Sequence, residues 1–469
     1  MASQQVDHNR DDKISIKFKF QVPSKLPDTL SRDLINHRWK RIIAAIENKR
    51  VEEVLEEVKS IGKNNNIITL PHPFKEDIVT YAIKSKREGM CNFIFFVDEN
   101  HLYPWILCQC TSFVDAIFTN ESSAGHKLST NGTTIIKSAK KILREKNNIC
   151  RINSGEKGAK FSGFILDQTR PYHHFYDQLK WFIHLESQKP ITSRKSFFIP
   201  NCYKVKESKR KKRATVSIFP LVIGSNQLGT KLDMYSDRME KIIYEDSVRD
   251  LYSKNLLTKF RNSINTLKGI QKRNNTLSLW FGISGQKRIW IEQEEFLPAL
   301  VDQLKPFFDS FIFVIDGYTQ YANATVDGKN MSKIIPIQQD MEVVESIRKK
   351  LLNYKNTTTI NLVGKTYREK IQICRNIDLF IANAGAGQLV PHRFCKKPGI
   401  LHSNEKHCVF PMGIDNTTVK LVDKSLVKDV GNLFVSSKEK AKSGAGLISY
   451  SIDVQVMVNM TKTMLSLVS

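Results

Sequence analysis

The chain has 469 residues, 41% of them hydrophobic and 25% charged. That globular balance excludes a wholly disordered, collagen-like or small disulfide-stapled protein, and at ~100–200 residues per domain it leaves room for two or three domains. Lys and Arg number 72 against 47 Asp and Glu, a formal charge of +25. Such a surplus favours an anionic partner (nucleic acid, an anionic lipid surface or a phosphorylated small molecule) without choosing among them.

No run of ~18 uncharged apolar residues occurs, so no membrane-spanning helix is expected. The opening segment, residues 1–8, lacks the apolar centre of a secretory signal, which points to a cytoplasmic protein. With secretion not expected, the sequon at Asn131 carries no weight. The eight cysteines contain no C-x-x-C pair, and Cys108-x-Cys110 is too tight for a zinc knuckle. They read as reduced, buried small residues, with no metal site expected.

In chain order, residues 14–22 alternate Lys with apolar residues and read as an edge strand. A helical stretch over 28–63 breaks near Asn48, with Val51, Val54, Leu55 and Val58 at helical spacing. Strand-like runs follow at 67–70 and 92–97, then a basic helix over 133–146 and a strand over 160–166. The run KVKESKRKKR, residues 204–213, lies between apolar strands at 196–199 and 215–223. It reads as a solvated hairpin loop, as a contact for anionic lipid headgroups, or as a nuclear-localisation or nucleic-acid segment. Residues 231–272 are helical and charged, suited to a connection.

Beyond that point strands alternate with helices. Strands are predicted over 276–283, 310–315, 359–363, 378–382 and 399–402, and helices over 294–308, 340–352 and 366–375. A capping box, Thr366-Tyr-Arg-Glu369, opens the last of these. Apolar strands bounded by Gly, Asn and Asp predict a parallel sheet with helices on both faces. A final amphipathic helix is predicted over 452–468. The expected division is an N-terminal extension with helices (1–65), a first α/β domain (66–230), a helical connection (231–275), a Rossmann-like domain (276–435) and a C-terminal helix (436–469).

Ligands of an open parallel sheet bind beyond the carboxyl ends of its strands. That rule selects the loops at Ser284, Lys287 and Arg288, at Asp316, at Gly364, and at Asn383, Gly385, Ala386, Gly387 and Gln388. Glycines at such a junction let backbone amides approach a phosphate. Lys287 and Arg288 can meet a diphosphate, and His402, ending its strand, can reach a ribose or phosphate. Neither G-x-G-x-x-G nor a P-loop motif is complete, so hydride transfer and P-loop chemistry are not expected.

A second constellation is Arg170-Pro-Tyr172-His173-His174-Phe-Tyr-Asp177-Gln178. Pro171 favours a first helical turn, and a histidine three or four residues before Asp177 can share its face. A carboxylate there can act as a general base and an imidazole can orient it or bind a phosphate; an Asp–His pair that merely complements the helix dipole is the structural alternative.

The Tyr-His-His-Phe-Tyr-Asp-Gln helix, followed by a half ending in Asp378-Leu-Phe-Ile-Ala-Asn-Ala-Gly-Ala-Gly-Gln388, resembles sugar-nucleotide glycosyltransferases of the GT-B class. More narrowly it resembles bacterial surface-polysaccharide or lipopolysaccharide transferases, and distantly the family-61 transferases. The resemblance covers about residues 160–410. Asn383-Ala stands where family 61 usually has Pro-His or a similar pair.

The resemblance implies two Rossmann-like domains facing a cleft and a metal-independent transfer, with no cofactor beyond the nucleotide-sugar co-substrate. The donor would bind at Ser284, Lys287, Arg288, Asp316, Gly364, Asn383, Gly385, Ala386, Gly387, Gln388 and His402. The acceptor, a glycan or lipid-linked glycan, would meet Arg170, Tyr172 and His173. If the enzyme inverts, Asp177 deprotonates the acceptor hydroxyl, with His174 the second candidate for that base. The protein would work at the inner membrane face near anionic lipid. The competing readings are a non-enzymatic nucleic-acid binder, suggested by the charge, and a silent scaffold of polysaccharide assembly. No nucleic-acid fingerprint is present, so nucleic acid is not the expected partner.

Overall fold

A computed structural model describes residues 13–18, 20, 22–26, 36–48, 50–63, 67–89, 91–110, 112–119, 123–125, 132–144, 149–153, 157–166, 170–185, 215–218, 233–249, 275–321, 325–326, 329–330, 334–408, 418–433 and 445–468. The basic run 204–213, the strand expected over 196–199 and most of the connection over 231–272 lie outside the described residues. The chain divides into two compact units, Met1–Ser196 with Tyr203–Met239, and Phe197–Cys202 with Glu240–Ser469.

The first unit begins with β1 (Lys13–Lys17) and two helices, His37–Glu47 and Val51–Lys63, which meet at Asn48 as the periodicity predicts. Asn36 caps the first helix by accepting the Arg38 amide. A six-stranded sheet follows in chain order: β2 (Thr69–Pro71), β3 (Val79–Glu88), β4 (Cys91–Asp98), β5 (Trp105–Gln109), β6 (Ala116–Thr119) and β7 (Ser123–Gly125). Every neighbouring pair is antiparallel.

This corrects the expectation of a Rossmann-like first half. Parallel neighbours need a crossover of a dozen or more residues, and the connections here are too short for one. Gly89, at φ 58°, turns the chain back between β3 and β4 in a conformation that glycine adopts without strain.

The sheet is covered on both faces. Phe93, Phe95 and Val97 pack with Ile135, Ala139 and Ile142 of the helix Gly132–Arg144. On the other face Phe96 stacks on Trp105 at 4.3 Å, and Trp39 meets Trp105 edge-on. Burying each such ring is worth about 1.5–3 kcal/mol. β8 (Ile149–Asn153) pairs antiparallel with β1, and β9 (Lys160–Phe164) pairs parallel with β10 (Thr215–Ile218).

The second unit carries the predicted parallel sheet: β11 (Thr276–Gly282), β12 (Ser310–Asp316), β15 (Thr357–Asn361), β16 (Leu379–Asn383), β17 (Gly399–His402) and β18 (Val419–Leu421). A short hairpin of β13 (Thr325–Val326) and β14 (Lys329–Asn330) precedes β15. The spatial order β15-β12-β11-β16-β17-β18 reads 3-2-1-4-5-6 in sequence, the doubly wound order. All of its pairs are parallel.

Leu277, Leu279 and Phe281 face a core with the helices Gln293–Leu304, Ile334–Leu351 and Val454–Val468. On the opposite face Phe380 stacks on His392, beside the helix Tyr367–Cys374. The chain order reverses between β11 and β16, so the loops after these two strands flank the switch point. A hairpin of β19 (Lys428–Gly431) and β20 (Ser449–Ser451) follows, and Tyr450 exchanges backbone hydrogen bonds with Ile289 and Ile291.

Candidate functional site

At the carboxyl edge of the second unit, Arg288 has a left-handed backbone, φ 50°. For a non-glycine residue this is an uncommon and strained conformation. It sends the guanidinium over the loop after β16: a Cβ on Gly385 would stand 2.9 Å from both Nη1 and Nη2. Arg288 and Gly385 are thus brought together across the switch point, although nearly a hundred residues separate them.

Among the described residues no carboxylate pairs with Arg288, and its Nε is buried without an acceptor. Burial holds its pKa below the ordinary value, with a smaller opposing effect from Tyr450. Arg288 is half-buried; a cation partly withdrawn from water without a counter-charge is costly, and an anionic ligand would supply one.

The Gly385 amide bonds the Asn383 carbonyl at 2.8 Å, and Ala384 bonds that of His402 at 2.8 Å. The next two amides, of Ala386 and Gly387, have no acceptor among the described residues. They open the 3-10 turn Ala386–Gln388, whose surroundings leave space beside Gly387. Gln388 turns inward, and its Oε1 accepts from His392 Nδ1 at 2.9 Å.

A buried hydrogen-bond chain lies next to this loop. Asn383 Nδ2 donates to Tyr450 Oη at 3.0 Å, and Tyr450 Oη in turn lies 2.7 Å from His402 Nδ1. His402 is 2% exposed. Burial pushes its pKa down to about 3, so the ring is neutral.

The other predicted donor residues divide by environment. Lys287 is exposed. Ser284 Oγ donates to the Lys287 carbonyl at 2.7 Å, and its amide donates to Gln293 Oε1 at 3.1 Å. Asp316 is buried against Lys370, its oxygen 2.5 Å from Nζ; burial raises its carboxyl pKa and Lys370 opposes that rise. Lys370 also donates to the Gly317 carbonyl and Thr319 Oγ1. Asp316 is therefore engaged within the unit. Gly364, at φ 75°, makes the left-handed turn after β15 and donates to the Tyr318 carbonyl.

Sequence reasoning missed Asp340, which binds two of the loops from below. Its Oδ1 accepts from Gly285 and its Oδ2 from Tyr318, at 2.7 and 2.6 Å. It missed Tyr450 and His407 too. None of the three sits in a motif; only their tertiary neighbours mark them.

In the first unit Arg170 is exposed and extended, and it precedes Pro171, which opens the helical turn Pro171–His173. The helix then widens into a π segment, His174–Leu179, and continues as Lys180–His184. Such segments close hydrogen bonds five residues back and change which side chains share a face. His173 Nδ1 donates to Asp177 Oδ2 at 2.5 Å. The His173 side chain is 45% exposed and that of Asp177 11%.

His174 is fully buried and burial pushes its pKa down to about 3. It does not share the face of Asp177; His173 does. The Tyr172 and Tyr176 rings pack with centroids 4.7 Å apart, tilted by 31°.

Among the described residues no cluster of His, Cys, Asp and Glu could hold a metal ion, and no helix is long and apolar enough to cross a membrane. No protein-family model matches the chain, and no curated protein matches it either.

Proposed function

We propose that the chain is a metal-independent glycosyltransferase that moves a sugar from a nucleotide-sugar to a growing surface glycan of the lipopolysaccharide or capsule type. One observation carries this reading: a strained, half-buried arginine with no acidic partner among the described residues, at the switch point of a doubly wound sheet, lying on a glycine whose loop offers two amides that find no acceptor there. Arg288 with the amides of Ala386 and Gly387 would take the donor diphosphate, aided by Lys287. The acceptor role of Arg170, Tyr172 and His173 belongs to this proposal, as do a cytoplasmic location and an association with anionic lipid.

Asp177 is the proposed base, oriented by His173 rather than His174. The acceptor oxygen bonds to the anomeric carbon as that carbon's bond to the donor phosphate oxygen breaks. The acceptor proton passes to Asp177, and the diphosphate leaves with the bonding electron pair. That step inverts the configuration at the anomeric carbon.

The test is a thermal-shift panel of UDP, GDP and CMP on the wild type and Arg288→Gln. Stabilisation by one nucleotide, lost in the variant, is the expected result. Salt-sensitive binding of random oligonucleotides with no nucleotide effect would instead favour a nucleic-acid binder.

A further inference from the structure

We propose that His407 is a second ligand for the phosphate group that Arg288 binds, and that its ring takes up a proton as the phosphate arrives. The inference rests on the donor-site reading above.

His407 follows β17 in the turn that begins at Ser403. It is held there by Asn404, whose side chain is fully buried. Asn404 Nδ2 donates to the Ile448 carbonyl at 2.9 Å, which fixes the amide's orientation. Its Oδ1 therefore faces His407 and accepts from both the backbone amide (3.2 Å) and Nδ1 (2.8 Å). The neutral ring thus carries its proton on Nδ1 and presents a bare lone pair at Nε2. A lone pair repels a phosphate oxygen; a protonated Nε2 would bind one.

Backbone contacts tie this turn to Arg288. Ile448 precedes Ser449, whose Oγ accepts from the Ile289 amide at 3.2 Å, and Tyr450 donates its amide to the Ile289 carbonyl at 2.9 Å. β16 and β17 are parallel neighbours, so the turn after β17 that carries His407 leaves the same edge of the sheet as the loop after β16 that lies against the Arg288 guanidinium. Burial first, and the guanidinium's charge second, hold the ring below the ordinary histidine value.

The surrounding groups do not offset this. Glu405 lies on the same turn, and its amide is bound by Asp429 of β19 at 2.9 Å. Tyr450 of β20 is kept protonated by burial, and burial pushes the Cys408 thiol up to about 11. No carboxylate among the described residues forms an ion pair with either His407 or Arg288.

A phosphate seated against Arg288 reverses the second cause. Its negative charge offsets the guanidinium and draws a proton onto Nε2 from solvent; no other bond changes. Binding is then linked to proton uptake, and affinity falls as the pH rises past the ring's value in the complex. During transfer the same proton would offset charge on the departing diphosphate.

The experiment is isothermal titration of inorganic pyrophosphate and of UDP near pH 7, in buffers of low and high ionisation heat. The proteins are the wild type, His407→Gln, His407→Lys and Arg288→Gln. The wild type should take up more protons per ligand than His407→Gln and bind about tenfold more tightly. His407→Lys, with a permanent charge, should recover affinity without the extra uptake, which separates a binding role from loss of the fold.

Equal affinity and equal proton counts in the wild type and His407→Gln would overturn the proposal while Arg288→Gln still showed the site to be real. If neither ligand bound the wild type, the donor-site reading would fall, and this inference with it.

Discussion

The two units solve the same burial problem with opposite sheets, and the difference decides where chemistry can sit. In the first unit consecutive strands run antiparallel, so their loops are shared between both ends of the sheet. In the second unit every strand of the main sheet points the same way, which gathers the loops after β11, β12, β15, β16 and β17 along one edge. Arg288, Gly385, Asp340, His402 and His407 therefore converge although they are far apart in the chain. The first unit offers its candidate pair, His173 and Asp177, from a single helix with a widened turn. A parallel sheet assembles a site from distant segments; a helix can offer only what its own spacing allows.

The largest expected effect tests the helix. Asp177→Asn should cut glycosyl transfer by roughly 10²–10⁴-fold, the usual contribution of a general base, while nucleotide binding by the second unit is unchanged. Full turnover by this variant would remove the first unit from the chemistry.

The next test bears on the parallel edge. Lys370→Met leaves Asp316 buried without its partner and should destabilise the protein by about 3–5 kcal/mol in chemical denaturation. A loss below ~1 kcal/mol would mean that the pair does not organise the edge.

A smaller effect compares the units directly, because each has one histidine held neutral by burial: His174 in the first and His402 in the second, both pushed down to about 3. A ring with a depressed value binds fewer protons folded than unfolded. Its contribution is therefore complete above pH ~6.5 and lost as pH falls toward the folded value, at about 1.4 kcal/mol per pH unit for each ring. His402→Gln should flatten the acid limb of the stability curve; an unchanged slope would show that the ring is reached by water.

The smallest test is Thr366→Ala. Thr366 Oγ1 accepts from the Glu369 amide, and Glu369 returns a carboxylate to the Thr366 amide at 2.7 Å. Its loss should cost about 1 kcal/mol in thermal unfolding, confined to the second unit's edge.

Much of the second unit was legible in the sequence because a parallel strand, buried on both faces, is written as an unbroken apolar run. Thr276–Gly282, Ser310–Asp316 and Gly399–His402 lie within a residue of their predicted bounds. β18, only three residues long, carries too little signal and was missed. In the first unit β3 escaped notice because Lys84, Lys86 and Arg87 interrupt its apolar residues, and β5 and β6 because they are short. Without those strands the antiparallel pairing was invisible. The carboxyl-edge rule selected the loop at Asn383 and Arg288, and the structure brings the Arg288 guanidinium against Gly385 of that loop. Asp316 was selected by the same rule, but its internal partner Lys370 lies 54 positions away, beyond the reach of spacing.

What the chain itself fixed was local: period, caps, apolar runs and the four-residue step from His173 to Asp177, all set by neighbours within a turn or two. Which strands became adjacent was settled only by folding, and with it the meeting of Arg288 with Gly385, the Asn383–Tyr450–His402 chain and the bond from Asn404 to the Ile448 carbonyl. Those contacts join residues as far apart as Asn383 and Tyr450, or Arg288 and Gly385. Their cause is the burial of whole faces and the pairing of buried polar groups, a condition on the entire core that no short stretch of sequence records.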